Sequence, residues 1–233
     1  MYPIAILAGG LASRMYPRTS TIPKALLEVA GRPFIDHQLT LIRRQGLTSV
    51  VLCVGHLGEQ IQAFVGDGSR WSLQVNYSHD GDVLRGTGGA IRQALPQLGA
   101  RFFVMYGDSY LTCRFADVAD AFDRSRRAAL MTVFRNAGAF DVSNVLFEHG
   151  RIVRYDKRET TPAMRHIDYG LSVFEADAIA RYPDDSVFDL AGVFQDLIAT
   201  GQLAGLEVPD RFFEIGSPQG LLDTEGWLMK EQA

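Results

Sequence analysis

Two cations and a pair of glycines lie near the N-terminus in a spacing that suits the binding of a triphosphate. Gly9-Gly10 follow a short apolar run over residues 3–8, and Arg14 and Lys24 come later on one loop. The apolar run is long enough for a buried strand and too short for a buried helix. A strand that ends at glycines presents bare backbone N–H groups, which often contact a nucleotide. A surface turn with two unrelated cations is the alternative at this point.

Two common nucleotide-binding motifs do not fit this loop. The dinucleotide motif G-x-G-x-x-G needs alternating glycines with a helix directly behind them, whereas Leu-Ala-Ser occupies residues 11–13. The P-loop motif G-x-x-x-x-G-K-[ST] needs a glycine before its lysine, whereas Pro23 precedes Lys24. A nucleotide bound at this loop would therefore be held through another type of motif.

Apolar periodicity over the rest of the chain predicts strands that alternate with helices. Predicted helices cover residues 34–45, 57–65, 90–98, 115–126, 189–200 and 221–229, and predicted strands cover 49–54, 73–77, 101–107, 128–135 and 166–174. Such alternation is typical of right-handed crossovers and of a parallel sheet with helices on both faces. A hairpin pattern over 144–147 and 151–155 departs from it, so the sheet becomes mixed near residue 136. The predicted fold class is α/β, Rossmann-like, with three α/β/α layers around a central, mostly parallel, mixed sheet.

A second glycine-rich segment, residues 78–89, lies between the third predicted strand and the helix at 90–98. It contains four glycines and ends in Gly86-Thr87-Gly88-Gly89. A helix N-terminus with bare backbone favours anion binding and close approach of a base or a sugar. Ligands of open α/β sheets bind beyond the carboxyl ends of the strands, so we predict ligand contact here. A mobile surface loop is the alternative.

Asp108 follows Gly107 at the end of the predicted strand at 101–107. A carboxylate at the tip of a buried strand suits a Mg²⁺ ion that is bound to phosphate. An aspartate that caps a turn is the alternative.

Composition and charge argue against several classes of function. The net charge is −4 and no basic run is longer than two residues, so nucleic-acid binding is not expected. Cys53 and Cys113 lack the spacing of zinc ligands, and we interpret both as buried thiols in a reducing compartment. The N-terminus lacks the basic region of a signal peptide, and no apolar run is long enough to span a membrane. We therefore expect a soluble, cytoplasmic protein.

Residues 7–29 resemble the signature of the sugar-1-phosphate nucleotidyltransferases, L-A-G-G-x-x-x-R-[LM]-x-P-x-T-x-x-x-P-K-x-L-x-x-V. The chain matches this pattern at every fixed position. The loop is also similar, more distantly, to that of the molybdenum-cofactor guanylyltransferases, which carry L-A-G-G-x-S-x-R-M. In those proteins the lysine follows an Asp and lies closer to the arginine, so Pro23-Lys24 favours the sugar branch.

The resemblance implies a role for each matching residue. The implied nucleotide contacts are Leu7, Ala8, Gly9, Gly10, Gly86, Thr87 and Gly88. The implied catalytic cations are Arg14, for the leaving pyrophosphate, and Lys24, for the α-phosphate. The implied sugar-phosphate contacts are Gly89, Asp156, Lys157, Tyr169 and Gly170, and the implied ligands of Mg²⁺ are Asp108 and Glu214.

The chain departs from the family's pattern at three places. Asp156 stands where glutamate is commoner, Asp168-Tyr169-Gly170 replaces variants with small residues, and Glu214 replaces an aspartate. A glutamate can still ligate Mg²⁺, directly or through water. The change at 168–170 leaves the identity of the sugar open.

The resemblance implies transfer of a nucleoside monophosphate from a nucleoside triphosphate (NTP) to a sugar 1-phosphate, with Mg²⁺ as cofactor and release of pyrophosphate. It divides one domain, residues 1–233, into a nucleotide-binding half at 1–135 and a sugar-phosphate-binding half with a closing helix at 136–233. Short relatives act on heptose 1-phosphate or N-acetylmuramate 1-phosphate, so the expected acceptor is a heptose or hexose 1-phosphate.

Several alternatives stay open at this point. One is a cytidylyl- or guanylyltransferase with a non-sugar phosphate acceptor, and another is a catalytically inactive nucleotide-sugar-binding protein. The nucleobase and the oligomeric state, a homodimer included, are also open. Neither a nucleic acid nor a membrane is an expected partner.

Overall fold

A seven-stranded mixed sheet with helices on both faces forms the body of the protein. The computed structural model describes residues 1–81, 83–136 and 138–232. The strands are β1 (Ile4–Leu7), β2 (Glu28–Val29), β3 (Arg32–Pro33), β4 (Ser49–Val54), β5 (Gln74–His79), β6 (Arg101–Tyr106), β7 (Ser109–Tyr110), β8 (Ala129–Phe134), β9 (Val145–Glu148), β10 (Arg151–Tyr155), β11 (Ile167–Glu175), β12 (Leu203–Val208) and β13 (Phe213–Glu214). The helices are α1 (Phe34–Arg44), α2 (Gly58–Val65), α3 (Gly86–Leu98), α4 (Phe115–Ser125), α5 (Ala176–Ala180), α6 (Leu190–Ala199) and α7 (Pro218–Gln232).

The sheet has the strand order β12-β8-β11-β6-β1-β4-β5. Strands β6, β1, β4 and β5 are parallel to one another, whereas β11 runs antiparallel to both of its neighbours, β6 and β8. The predicted α/β class with a mostly parallel, mixed sheet is thereby confirmed. Strand β1 lies inside the sheet, between β6 and β4, and its apolar side chains Ile4, Ala5 and Ile6 are fully buried.

Side chains of β1 alternate between two hydrophobic cores, one on each face of the sheet. Ile4 and Ile6 point to the core that α1, α2 and α4 cover, and Ala5 points to the core under α3, α5 and α6. Because successive residues of a strand face opposite sides, one short apolar run anchors both layers of helices. The three-layer arrangement follows from this double burial.

A third hydrophobic cluster ties the N-terminal loop to the C-terminal helix. Met15 packs in it with Val29 and Phe34, and α7 contributes Leu221 and Leu228. Helix α7 is longer than the predicted helix at 221–229. It begins at Pro218, a residue type that favours the first position of a helix.

Two further findings concern the cysteines and the length of the apolar helices. Cys53 and Cys113 are both buried, free thiols, as the sequence predicted. Within the described part of the chain, no helix is both long and apolar enough to cross a membrane.

Candidate functional site

A cavity of about 290 Å³ opens where the parallel strands β1, β4, β5 and β6 reach their carboxyl ends. This edge of an open α/β sheet is the usual ligand site because the loops diverge there. Most of the residues predicted for nucleotide and metal binding meet in this cavity. Its lining includes Leu7, Ala8, Gly9, Gly10, Lys24, Gly86, Thr87 and Asp108.

Gly9 and Gly10 are glycines for different reasons. A Cβ on Gly9 would lie 2.9 Å from the backbone N of Gly55, which forms the adjoining loop after β4. At Gly10, in contrast, no heavy atom of the described residues lies within 4 Å of the Cβ position. Gly9 therefore permits close packing of two loops, and Gly10 leaves backbone open to the cavity.

An ion pair forms part of the lining of the cavity. Lys24 Nζ is 2.7 Å from Asp108 Oδ2, and both side chains are largely but not fully buried. Burial alone raises the pKa of Asp108, but the charge of Lys24 and its hydrogen bond outweigh this effect, so the pKa is lowered. Asp108 is therefore an anion at neutral pH, and Lys24 is held at the position from which it can meet a phosphate.

Arg14 lies close enough to this ion pair for its charge to act on Asp108. It is exposed on a short 3₁₀ turn, Ser13–Met15, which buried Met15 anchors. The hydroxyl of Thr19 donates to the carbonyl of Ala12 and holds the loop that carries this turn. The charge of Arg14 also lowers the pKa of Asp108, although less than Lys24 does. An exposed arginine in this place is able to swing onto a bound phosphate.

Glu214 is brought beside Asp108 by a short antiparallel pairing that the sequence did not indicate. Strand β13 pairs with β7, which places Glu214 opposite Ser109, the neighbour of Asp108. A Cβ on Gly216 would lie 2.8 Å from Glu214 Oε2 and 3.2 Å from Asp108 Oδ2. The two carboxylates thus share a small space that the glycine keeps open.

Glu214 also supports the N-terminus of α7. Its carboxylate accepts hydrogen bonds from the backbone N–H of Gly216 and from Ser217 Oγ, the latter at 2.6 Å. A Cβ on Gly220 would occupy the place of Glu214 Oε1, only 1.7 Å away. Across residues 1–81, 83–136 and 138–232, no group of three or more His, Cys, Asp or Glu side chains is arranged to hold a metal. A metal at Asp108 and Glu214 would therefore need ligands from a substrate or from water.

The second glycine-rich segment packs against the loop before α6, while its Gly86 and Thr87 also line the cavity. Helix α3 begins at Gly86 rather than near residue 90. The backbone N–H groups of Gly88 and Gly89 donate to the carbonyl of Phe188, at 2.9 and 3.1 Å. Because these donors are occupied, the N-terminus of α3 does not offer them to a ligand.

Helices α3 and α6 cap each other at this point. The N–H and the hydroxyl of Thr87 both donate to Asp189 Oδ1, and Thr87 Oγ1 accepts from the N–H of Leu190 at 2.9 Å. A Cβ on Gly89 would lie 2.7 Å from the carbonyl of Ser186. Gly89, predicted as a sugar-phosphate contact, therefore packs against another loop and lines neither this cavity nor the next.

A second, wider cavity of about 650 Å³ adjoins the first and shares Thr87, Tyr106 and Asp189 with it. It contains the predicted residues Asp156 and Lys157. Hydrogen bonds from the backbone N–H groups of Glu159 and Arg158 lower the pKa of Asp156, so its carboxylate shapes the loop that presents Lys157. The Lys157 ammonium lies 3.4 Å from the hydroxyl of Tyr106.

Tyr169 is not brought to either cavity, which corrects its predicted contact with the sugar phosphate. The side chain is fully buried in the core and packs edge-on against Phe212. Its hydroxyl accepts hydrogen bonds from the N–H groups of Thr112 and Cys113. Gly170, next in sequence, has a φ of +95° and leaves room for the ring of Tyr106, which a Cβ would approach to 3.2 Å. Gly170 thus lies behind Tyr106, the residue that lines both cavities.

Three side chains in these cavities were missed from the sequence. Asp80 directly follows β5, is buried, and faces the first cavity, and burial raises its pKa. Tyr106 ends β6, and Asp189 precedes α6. Their positions at strand or helix ends on the ligand-binding edge were a usable signal, but their residue types fitted no motif.

Comparison with known proteins agrees with this geometry. Residues 4–143 match the family model described as nucleotidyl transferase. The chain is 41% identical over 107 residues to N-acetylmuramate alpha-1-phosphate uridylyltransferase of Neisseria meningitidis serogroup B, covering 46% of each chain. It is 30% identical over 221 residues to mannose-1-phosphate guanylyltransferase of Mycobacterium tuberculosis, covering 92% of this chain and 61% of that protein.

The fold is shared with solved structures. HddC from Yersinia pseudotuberculosis, complexed with GMP-PN, superimposes with a TM-score of 0.82 at 20% identity, over 98% of this chain and 100% of that one. The chain spans about half to two thirds of the length of the curated relatives it matches. A family match over more than half of the chain, together with the cavity and its ion pair, shows that the chain belongs to the nucleotidyl transferase family.

Proposed function

We propose that the protein transfers a nucleoside monophosphate from an NTP to a sugar 1-phosphate and releases pyrophosphate. One observation carries the proposal: two cavities meet at Tyr106, and each has a lysine. Lys24 stands in the first with Asp108, and Lys157 stands at the second. A reaction that joins two phosphates needs two substrates side by side, with positive charge at each phosphate.

The first cavity suits the NTP. At one end Lys24 would contact the α-phosphate, and Arg14, whose charge acts on the neighbouring Asp108, would hold the departing pyrophosphate. Its other end lies between the glycine loop and Leu84, where open backbone at Gly10 would admit the ribose and the base. The buried carboxylate of Asp80 faces this end and would accept a hydrogen bond from the base edge.

The second cavity suits the sugar 1-phosphate. Lys157 would hold its phosphate close to Tyr106, which borders both cavities. A phosphate monoester oxygen is ionised at neutral pH, so the attack needs no general base. Most of the acceleration would come from positioning and from neutralisation of the charge on the transferred group.

The shared space beside Gly216 fits a Mg²⁺ ion. Oxygen ligands suit this ion, which usually takes one or two carboxylates and completes its shell with phosphate and water. Asp108 and Glu214 would supply the carboxylates there, and a Cβ at residue 216 would fill the space. When bound, the ion would neutralise charge on the triphosphate.

The relatives support a nucleotide-to-sugar transfer without fixing either substrate. Their names specify uridylyl transfer to N-acetylmuramate 1-phosphate and guanylyl transfer to mannose 1-phosphate. A heptose or hexose 1-phosphate is our preferred acceptor.

A substrate matrix tests the proposal directly. Each of the four NTPs is incubated with glucose, mannose, N-acetylmuramate and heptose 1-phosphates, and pyrophosphate release is measured. We expect one pair to dominate, and Lys24→Ala to lower its turnover by about 10²- to 10³-fold while the protein stays folded. Release of pyrophosphate only with non-sugar phosphates would reassign the acceptor. Absence of release with every acceptor would overturn the enzyme assignment.

The metal site is tested with Glu214→Gln, which keeps the size of the side chain and removes its charge. We expect the Mg²⁺ concentration for half-maximal activity to rise by about tenfold, with partial recovery in excess Mg²⁺. Asp108→Asn should recover less, because a short side chain at a strand end cannot reposition. Full turnover with an unchanged Mg²⁺ dependence would restrict Glu214 to its role at the N-terminus of α7.

A further inference from the structure

A buried carboxylate lies under the wall that separates the two cavities. The side chain of Asp168 is only 3% exposed, and its Oδ2 accepts hydrogen bonds from the hydroxyls of Tyr106, at 2.9 Å, and Tyr155, at 3.1 Å. Its Oδ1 accepts from the backbone N–H of Gly170 at 3.0 Å. Strand β11 runs antiparallel to β6, so its first residues, Asp168 among them, reach the sheet edge at which β6 ends in Tyr106.

Lys157 rests on this cluster from the solvent side. Its side chain is 48% exposed, yet its ammonium lies 4.0 Å from Asp168 Oδ2 and donates to the hydroxyl of Tyr106 at 3.4 Å. The same ammonium lies 4.8 Å from the centre of the Tyr106 ring and 5.7 Å from that of Tyr155. Contacts at these distances are within the range of cation–π attraction.

The arrangement restricts a side chain that would otherwise move freely. A half-exposed lysine samples many rotamers, and contacts that hold it in one of them reduce the entropy lost on binding a ligand. Tyr106 links the two charges, because its hydroxyl accepts from Lys157 and donates to Asp168. A buried carboxylate is poorly screened by water, so its attraction acts on Lys157 more strongly than a surface carboxylate would. The ammonium keeps two further N–H donors for a phosphate.

We propose that Asp168 and Tyr106 are positioning residues that hold Lys157 in place for the phosphate of the acceptor. The proposal rests on the proposed function, in which Lys157 binds that phosphate. Tyr106 lines both cavities, so the residue that holds Lys157 in the acceptor cavity also borders the NTP cavity. Asp168 itself contacts neither substrate.

Steady-state kinetics test the proposal with the sugar 1-phosphate and NTP that the substrate matrix identifies. Tyr106→Phe removes one hydroxyl and keeps the ring, and Asp168→Asn keeps the size and removes the charge. We expect each to raise the KM for the sugar 1-phosphate by about tenfold, with a much smaller change in the KM for the NTP. An equal rise in both KM values would overturn the proposal.

A double-mutant cycle separates positioning from stability. If Tyr106 and Asp168 act through Lys157, neither substitution should raise the acceptor KM further in a Lys157→Ala background. Full additivity would overturn the proposal. Asp36→Asn is the matched control, because Asp36 is also a buried carboxylate, bound to Trp71 Nε1 at 3.0 Å and to Arg32 at 2.8 Å, and lines neither cavity. It should lower the thermal midpoint and leave the acceptor KM unchanged.

A nuclear magnetic resonance measurement tests the position of Lys157 without any substrate. The chain has three lysines, so ¹³C-dimethylation, which retains their charge, gives few resonances, and Lys157→Arg assigns one of them. In the wild type, the rings of Tyr106 and Tyr155 should shift the Lys157 methyl signal upfield. Loss of this shift in Tyr106→Phe and in Asp168→Asn supports the proposal, and an unchanged shift in both overturns it. This result stands even if the substrate matrix fails.

Discussion

The two glycine-rich segments of the protein look alike in sequence and differ in what they do. Gly9-Gly10 end β1 at the cavity, and the Cβ position of Gly10 is open. Gly86 and Gly88 begin α3, and a Cβ on either would lie within 2.6 Å of Phe188. Glycine can be required for the approach of a ligand or for the approach of the protein's own chain. Only the neighbours of each glycine distinguish the two reasons.

The difference has a functional consequence, because the packed segment joins the two cavities. Thr87 and Asp189 line both of them, and their reciprocal hydrogen bonds connect α3, beside the first cavity, to α6, beside the second. Gly9 and Gly10, in contrast, line only the first cavity. Substitutions of Gly86 should therefore act on stability first, and those of Gly10 on ligand binding first.

The largest expected effect is that of Gly86→Ala. A Cβ there would lie 2.6 Å from the carbonyl of Phe188, and the φ of +73° strains any other residue. We expect the free energy of unfolding to fall by about 2–4 kcal/mol, measured by urea denaturation. A wild-type free energy of unfolding would show that the loop at Phe188 can move away from residue 86. Close packing would then not be the reason for a glycine at this position.

Gly10→Ala should show the opposite pattern. With no described heavy atom within 4 Å of its Cβ position, the variant should unfold at the wild-type urea concentration. The added methyl group would project into space that we assign to the NTP, so its KM should rise by about tenfold. A wild-type KM for the NTP would contradict that assignment, and a loss of stability would remove the contrast with Gly86.

The smallest effect is expected for Thr87→Val, which keeps the shape and removes the hydroxyl. The variant loses the acceptor for the N–H of Leu190 and one donor to Asp189, so the free energy of unfolding should fall by about 1 kcal/mol. Thr200→Val is the control, since its hydroxyl bonds only to carbonyls of the same helix end, those of Asp196 and Leu197. If Thr87→Val and Thr200→Val lower the free energy of unfolding equally, the hydrogen bonds between Thr87 and the start of α6 contribute no more than an ordinary hydroxyl within a helix.

Some of the differences between sequence and structure have simple physical reasons. Strand β12 was not predicted, because it forms an edge of the sheet, is mostly half-buried, and contains Ala204 and Gly205, which have low strand propensity. Helix α3 begins earlier than predicted because Phe188 and Asp189 occupy its first N–H groups, which offsets the low helix propensity of glycine.

The sequence by itself determined the alternation of strands and helices, and from it the sheet edge at which ligands bind. Apolar runs and glycines are local signals, and the ends of parallel strands meet by topology. Together with the family resemblance, this topology assigned Lys24 and Asp108 to one site, and the two side chains are in contact. These assignments needed no knowledge of side-chain direction.

The tertiary structure alone decided which residue of a neighbouring pair lies beneath the wall of the cavities and which lies in the core. Strand β11 is buried on both faces, so its sequence lacks the alternation of polar and apolar residues that reveals a strand's inner side. A register irregularity between Asp168 and Ser172 changes the alternation further. Asp168 therefore lies under the cavity wall and Tyr169 in the core, a choice fixed by the packing of β11 between β6 and β8.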